Sequence, residues 1–120
     1  MAVILIVEDE LFTREVAGMC IEDWGHCVLF AGSVEEALTV LKSSQKIDAL
    51  FTDIYLKSAV FGGCDIARQA KVMRPGLRVL YTTGNSATAQ LKAQFVKGSH
   101  FLGKPYTRNQ LDASVDGMLA

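Results

Sequence analysis

Five consecutive aliphatic residues, Val3-Ile4-Leu5-Ile6-Val7, run without a polar break and stop abruptly at Glu8-Asp9-Glu10. A strand with one wet face alternates in polarity, so a run this uniform belongs in the middle of a sheet covered on both sides. The rest of the chain must then supply the cover.

It does so in regular alternation. From Leu11 to about Trp24, the residues Phe12, Val16, Met19, Cys20 and Trp24 recur at helical spacing, and Gly25 supplies a stop. His26 to Ala31 reads as a second strand. Ser33-Val34-Glu35-Glu36 has the form of a capping box and opens a helix carrying Val34, Ala37, Leu38 and Leu41 on one face. Ile47 to Thr52 is a third strand, ending at Asp53. A loop from Tyr55 to Gly63 precedes a helix from Cys64 to about Met73, closed by Arg74-Pro75-Gly76. Leu77 to Thr82 is a fourth strand, Ser86 to Phe95 a weaker helix with a mostly alanine face, and His100-Phe101-Leu102 a short fifth strand. Thr107-Arg108-Asn109-Gln110 is a second capping box, opening a helix through Leu111, Val115, Met118 and Leu119.

Strand and helix alternate five times, which predicts a doubly wound α/β fold with a parallel sheet and right-handed crossovers. No repeat, low-complexity tract or linker interrupts the 120 residues, so residues 1–120 are expected to form one domain. With 12 basic and 13 acidic side chains there is no field to gather nucleic acid or anionic lipid, and no basic stripe for DNA. No apolar run is long enough to span a membrane, and the N-terminus lacks the basic region of a signal peptide. Cys20, Cys27 and Cys64 are odd in number and lack metal or redox spacing, so free and mostly buried thiols in a reducing cytoplasm are expected.

Sheets of this kind gather their functional side chains at the carboxyl ends of the strands. Four strand ends carry polar groups suited to one site: Glu8 and Asp9, Asp53, Thr83, and Lys104. A lone aspartate after a strand is more often a turn or cap residue, and acids after a strand often favour a helix N-terminus. The joint placement changes the reading. Three carboxylates in one place repel unless a cation joins them, and with no histidine or cysteine in these loops Mg²⁺ suits them better than zinc. A cation, an ammonium and a hydroxyl around a carboxylate are the parts that stabilise a phosphoryl group in transfer, and a carboxylate can itself be the nucleophile. The chemistry these residues point to is Mg²⁺-assisted phosphoryl transfer onto Asp53.

Over Ile4-Leu5-Ile6-Val7-Glu8-Asp9-Glu10, Thr52-Asp53, Leu80-Tyr81-Thr82-Thr83-Gly84 and Phe101-Leu102-Gly103-Lys104-Pro105-Tyr106, the sequence resembles the receiver domains of two-component response regulators. Order and spacing agree over nearly the whole chain. The resemblance implies a flavodoxin-like (βα)5 three-layer sandwich with strand order 2-1-3-4-5. It implies Asp53 as phosphoacceptor, with Asp9, Asp53 and the backbone carbonyl of Tyr55 as metal ligands and Glu8 acting in the acidic pocket through a water. It also implies that Thr83 turns toward the phosphoryl group, that Lys104 is the ion-pair partner, that Phe101 is the aromatic switch, and that the Lys104-Pro105 bond is cis. Two departures stand out: Lys57 occupies a position where the family usually has proline, in a loop extended through Ser58-Ala59-Val60-Phe61-Gly62-Gly63, and Ser86-Ala87-Thr88-Ala89 predicts a poorly anchored fourth helix.

The expected function is therefore a phosphoacceptor rather than an enzyme with a turnover substrate. A histidine kinase or phosphotransfer protein would donate to Asp53, and a downstream protein would read the surface of the fourth helix, fifth strand and fifth helix, a face that could also pair two copies. Met1 directly before the first strand and a last helix near the C-terminus favour a stand-alone, chemotaxis-regulator-like protein, acting in the cytoplasm without nucleic-acid contact or membrane insertion. A flavin binder on the same topology is disfavoured because Glu8-Asp9-Glu10 would repel a phosphate, and a haloacid-dehalogenase-like phosphatase because its nucleophile follows the first strand. The remaining alternative is a receiver-shaped interaction module that is never phosphorylated.

Overall fold

A computed structural model describes residues 1–57 and 59–120; of the expectations above, the one at Ser58 lies outside the described residues. The chain runs β1 (Val3–Val7), α1 (Leu11–Asp23), β2 (Cys27–Ala31), α2 (Val34–Lys42), β3 (Ala49–Asp53), α3 (Gly62–Met73), β4 (Arg78–Thr83), α4 (Ala89–Lys92), β5 (His100–Gly103) and α5 (Arg108–Leu119). All four strand pairings are parallel, in the order β2-β1-β3-β4-β5, as the resemblance implies.

Successive residues of the central strands feed two separate cores. Leu5, Val7, Leu50, Val79 and Tyr81 point toward α2 and α3, while Ile4, Ile6, Phe51 and Leu80 point toward α1 and α5. Ile4, Leu5 and Ile6 are at most 1% exposed. Full burial of each contributes roughly 1.5–3 kcal/mol, which is why the uniform run of β1 can only sit inside.

The apolar stripe that marks α1 is not the face it buries. Phe12, Val16, Met19 and Trp24 are exposed, and Ala17, Gly18 and Ile21 meet the sheet instead. The glycine accommodates the Phe30 ring of β2, whose rim lies where a Cβ on Gly18 would stand. At the other end of α1, Gly25 has φ +101°, and Gly25 and His26 donate to the carbonyls of Glu22 and Ile21 at 2.9 and 3.3 Å. That paired closure requires the left-handed backbone glycine tolerates.

The two capping boxes fare differently. At α5, Thr107 Oγ1 accepts from the Gln110 amide at 3.1 Å while Gln110 Oε1 accepts from the Thr107 amide at 2.8 Å, a complete reciprocal pair. At α2, Ser33 Oγ accepts from Glu36 N as expected, but the Glu36 carboxylate accepts from Gly32 N at 2.7 Å, one residue upstream.

The fourth helix is one turn, Ala89–Lys92, not the ten residues expected from Ser86 to Phe95. Only Leu91 of that turn is buried, which gives an alanine-rich segment little apolar area to hold a longer helix. Beyond it the chain tightens, with Gln94 and Phe95 donating to the carbonyls three residues back, and the Phe95 ring turns into the core. The expectation of mostly buried thiols holds for Cys64 but not for Cys27, which is exposed near the sheet edge at the start of β2; Cys20 is half-buried. Among the described residues no helix is long and apolar enough to cross a membrane.

Candidate functional site

Parallel register brings the acids together. Val7 of β1 lies opposite Thr52 of β3, so the next residues on each strand, Glu8 and Asp53, leave the sheet side by side. One carboxylate oxygen from each of Glu8, Asp9 and Asp53 falls within 4.8 Å of the others. Glu8 and Asp53 are both buried and Asp9 is half-buried, an arrangement of charges that is costly unless a cation compensates it.

Lys104 is that compensation. It follows β5, the edge strand, and its amide extends the β4–β5 ladder by donating to Thr83 O at 2.9 Å. The peptide bond to Pro105 is cis, as expected. The ammonium donates to Glu8 Oε1 at 2.6 Å and to Asp53 Oδ2 at 2.8 Å, with the lysine side chain only 25% exposed. Burial pulls the Lys104 ammonium down, but its hydrogen bonds to Asp53 and Glu8, and their charge, hold it above the ordinary lysine value. Burial pushes Glu8 above the ordinary carboxylate value, opposed by the hydrogen bonds from Lys104 and the Glu10 amide.

The three consecutive acids do three different jobs. Glu8 turns inward to Lys104. Asp9 accepts the Lys57 amide at 2.6 Å, tying the β3–α3 loop to the end of β1. Glu10 is the N-cap of α1: its carboxylate accepts from the Phe12 and Thr13 amides and from Thr13 Oγ1. Those bonds, the hydroxyl first, hold its pKa below the usual carboxylate range. So the reading of these acids as helix-terminal residues is right for Glu10 alone.

Of the other expected site residues, Thr83 is buried at the end of β4, with its hydroxyl accepting from the Asn85 amide at 3.2 Å rather than reaching Asp53. Tyr55 lies two residues beyond Asp53 with its ring against Phe61, 5.5 Å between centroids. Phe101 is half-buried on β5 and faces Phe95.

Two residues that build the site carry no sequence signal for doing so. Arg14 reaches back from α1 and donates to the Glu8 carbonyl at 3.0 Å, pinning the turn between the acids and the helix. Gly63 packs its backbone on the end of β3, where a Cβ would stand 2.1 Å from the Asp53 carbonyl oxygen, and its amide donates to Ile54 O at 3.0 Å. Glycines close the loop in the sequence, but only the fold shows that one of them lies against Asp53.

The sequence model described as the response regulator receiver domain matches residues 4–116. The chain belongs to this receiver family. Among curated relatives, the alginate biosynthesis transcriptional regulatory protein AlgB of Pseudomonas putida is 32% identical over 109 residues, covering 90% of this chain and 24% of that protein. The chain thus spans about a quarter of the length of the curated relatives it matches. Among solved structures, a response regulator receiver protein from Sinorhizobium medicae is 30% identical with a TM-score of 0.90, covering 98% of this chain and 94% of that one. The receiver domain of a sensor histidine kinase from Pseudomonas aeruginosa, solved with a magnesium ion coordinated in its active site cleft, shares the fold with a TM-score of 0.83 at 20% identity, covering 98% of this chain and 97% of that one.

Proposed function

We propose that this receiver, residues 1–120 as one module, accepts a phosphoryl group on Asp53 from a phosphohistidine on a kinase or phosphotransfer protein. The observation that carries the reading is the ammonium of Lys104 bonded at once to Glu8 and Asp53, with Asp9 beside them. A structural ion pair needs one carboxylate; two acids on one lysine, with a third carboxylate beside them, form a charge arrangement suited to an additional cation and an incoming anion.

An Asp53 carboxylate oxygen attacks phosphorus, the P–N bond to the donor imidazole breaks, and an acyl phosphate forms. Lys104 neutralises the reacting carboxylate and stays within reach of the phosphoryl oxygens. The Thr83 hydroxyl, which accepts from the Asn85 amide at rest, turns to donate its proton to a phosphoryl oxygen, and Phe101 repacks. The all-oxygen donor set fits a hard divalent ion: Asp9, Asp53 and the Tyr55 carbonyl would hold Mg²⁺ directly, with Glu8 acting through a water. When bound, Mg²⁺ supplies charge neutralisation of the phosphoryl oxygens. The magnesium in the Pseudomonas aeruginosa relative supports this assignment.

The module acts as a phosphoacceptor rather than as a turnover enzyme, in the cytoplasm. Phosphorylation shifts a pre-existing equilibrium at the face formed by α4, β5 and α5, which a downstream protein or a second copy reads.

Beryllofluoride with Mg²⁺, followed by NMR, tests the reading. Chemical-shift changes at Asp53, Thr83 and Lys104 that need both components support it. Absence of binding would favour the unphosphorylated interaction module. Trp24 fluorescence is the wrong probe, because its indole is exposed and bonded to Asp116 on the α1–α5 seam.

A further inference from the structure

Three threonines stand around Asp53 on β3 and β4, and two of their hydroxyls are partnered. Thr52 Oγ1 donates to Asp53 O at 2.9 Å, and Thr83 Oγ1 accepts from the Asn85 amide. Thr82 is 3% exposed, and its Oγ1 has no hydrogen-bond partner among the described residues. A buried hydroxyl left unpaired is costly, and valine would fill the same strand position without that cost.

This hydroxyl lies beside the reacting carboxylate. Thr82 is the register partner of Asp53 on the adjacent strand, and Glu8 leaves β1 on the other side of Asp53. Ile6, Phe51 and Leu80, two residues earlier on the three strands, all pack in the core under α1 and α5. Strand alternation therefore sends Glu8, Asp53 and Thr82 to that same side. There a small cavity of about 10 Å³ lies beneath α1, lined in part by Glu8, Thr13, Phe51, Asp53, Thr82 and Tyr106. It has room for a single water, and its lining offers that water a hydroxyl and two carboxylates.

We propose that Thr82 is a positioning residue for the acyl phosphate on Asp53: its hydroxyl holds one buried water in this cavity, and that water donates to the Asp53 carboxylate. This role rests on the phosphoacceptor reading above. In hydrolysis a solvent water attacks phosphorus, the P–O bond to Asp53 breaks with its electron pair passing to the carboxylate, and dihydrogen phosphate leaves with both protons of the attacking water. Negative charge grows on the carboxylate as that bond breaks, so a donor held against it from the sheet side speeds the loss. Thr82 thus shortens the life of the phosphorylated state without touching the phosphoryl group.

Two variants and two readouts test the assignment. Thr82→Val keeps the shape and removes the hydroxyl, so it should fold at least as stably as the wild-type protein. Thr82→Ser keeps the hydroxyl. Crystal structures should show a water within hydrogen-bond distance of residue 82 Oγ in the wild-type and serine proteins and none in the valine protein. After labelling with acetyl phosphate and Mg²⁺ and removal of the donor, intact mass follows the loss of the phosphoryl group. Thr82→Val should keep it roughly three- to tenfold longer, and Thr82→Ser should lose it at close to the wild-type rate. A dry cavity in the wild-type protein, or a water that persists in Thr82→Val, would overturn the water site. Equal lifetimes in the wild-type and valine proteins would overturn the role in hydrolysis while leaving Asp53 as acceptor. A wild-type protein that takes no label overturns the acceptor reading, and the role in hydrolysis falls with it.

Discussion

The Lys104 ammonium lies 2.8 Å from Asp53 Oδ2 and 2.6 Å from Glu8 Oε1, so one side chain from the last strand end holds two acids from the first and third. Without it, both carboxylates remain in a largely buried pocket, Glu8 with only the Glu10 amide as a partner.

Lys104→Met should therefore lower stability by about 1–3 kcal/mol in metal-free buffer, since breaking a buried pair strands its partners. Added Mg²⁺ should restore more of that loss in the variant than it adds to the wild-type protein. Urea denaturation with and without Mg²⁺ measures both; equal metal-free stability would mean the ion pairs contribute nothing.

Gly63→Ala places a methyl group against the Asp53 backbone carbonyl, where neither neighbour is a flexible side chain. A loss of about 1–3 kcal/mol is expected, with Mg²⁺ affinity falling as the β3 end shifts. Gly76→Ala, with open space around its Cβ position, is the control and should be near neutral.

On α1, the large apolar residues are the dispensable ones. Met19→Gln should change stability by less than about 0.5 kcal/mol, whereas Ile21→Ala should cost about 2–5 kcal/mol. Thermal melts of the two variants would reverse this order if the exposed stripe were the packed face.

Burial pushes the Tyr81 and Tyr106 phenols up to about 12. Their neutral forms therefore belong to the folded state. That contribution is complete below the unfolded tyrosine value near about 10 and is lost as pH rises through about 12. An ultraviolet tyrosinate titration should show both phenols ionising together with alkaline unfolding. Ionisation of both in the intact fold near the ordinary value would contradict their burial.

The strands were legible because burial on both faces demands uniform runs, and Val3–Val7 has no other stable place. The meeting of the strand ends was legible because parallel topology sends them all to one edge: Glu8, Asp9, Asp53 and Lys104 come together there, while the Thr83 hydroxyl turns to the Asn85 amide. What sequence could not reveal depends on how closely elements approach. Gly18 and Ala17 face the sheet beneath a more apolar stripe, Gly63 is required by a backbone oxygen, and Arg14 acts on a carbonyl six residues away. The length of α4 was missed because Phe95 packs as a core ring rather than as the end of a helix.

The central claim is that Asp53 is the phosphoacceptor. Intact-mass analysis after incubation with acetyl phosphate and Mg²⁺ tests it most directly. The wild-type protein should gain one phosphoryl group when Mg²⁺ is present during labelling and none when it is omitted, and Asp53→Asn should gain none in either case. Labelling of Asp53→Asn to the wild-type extent would contradict the account.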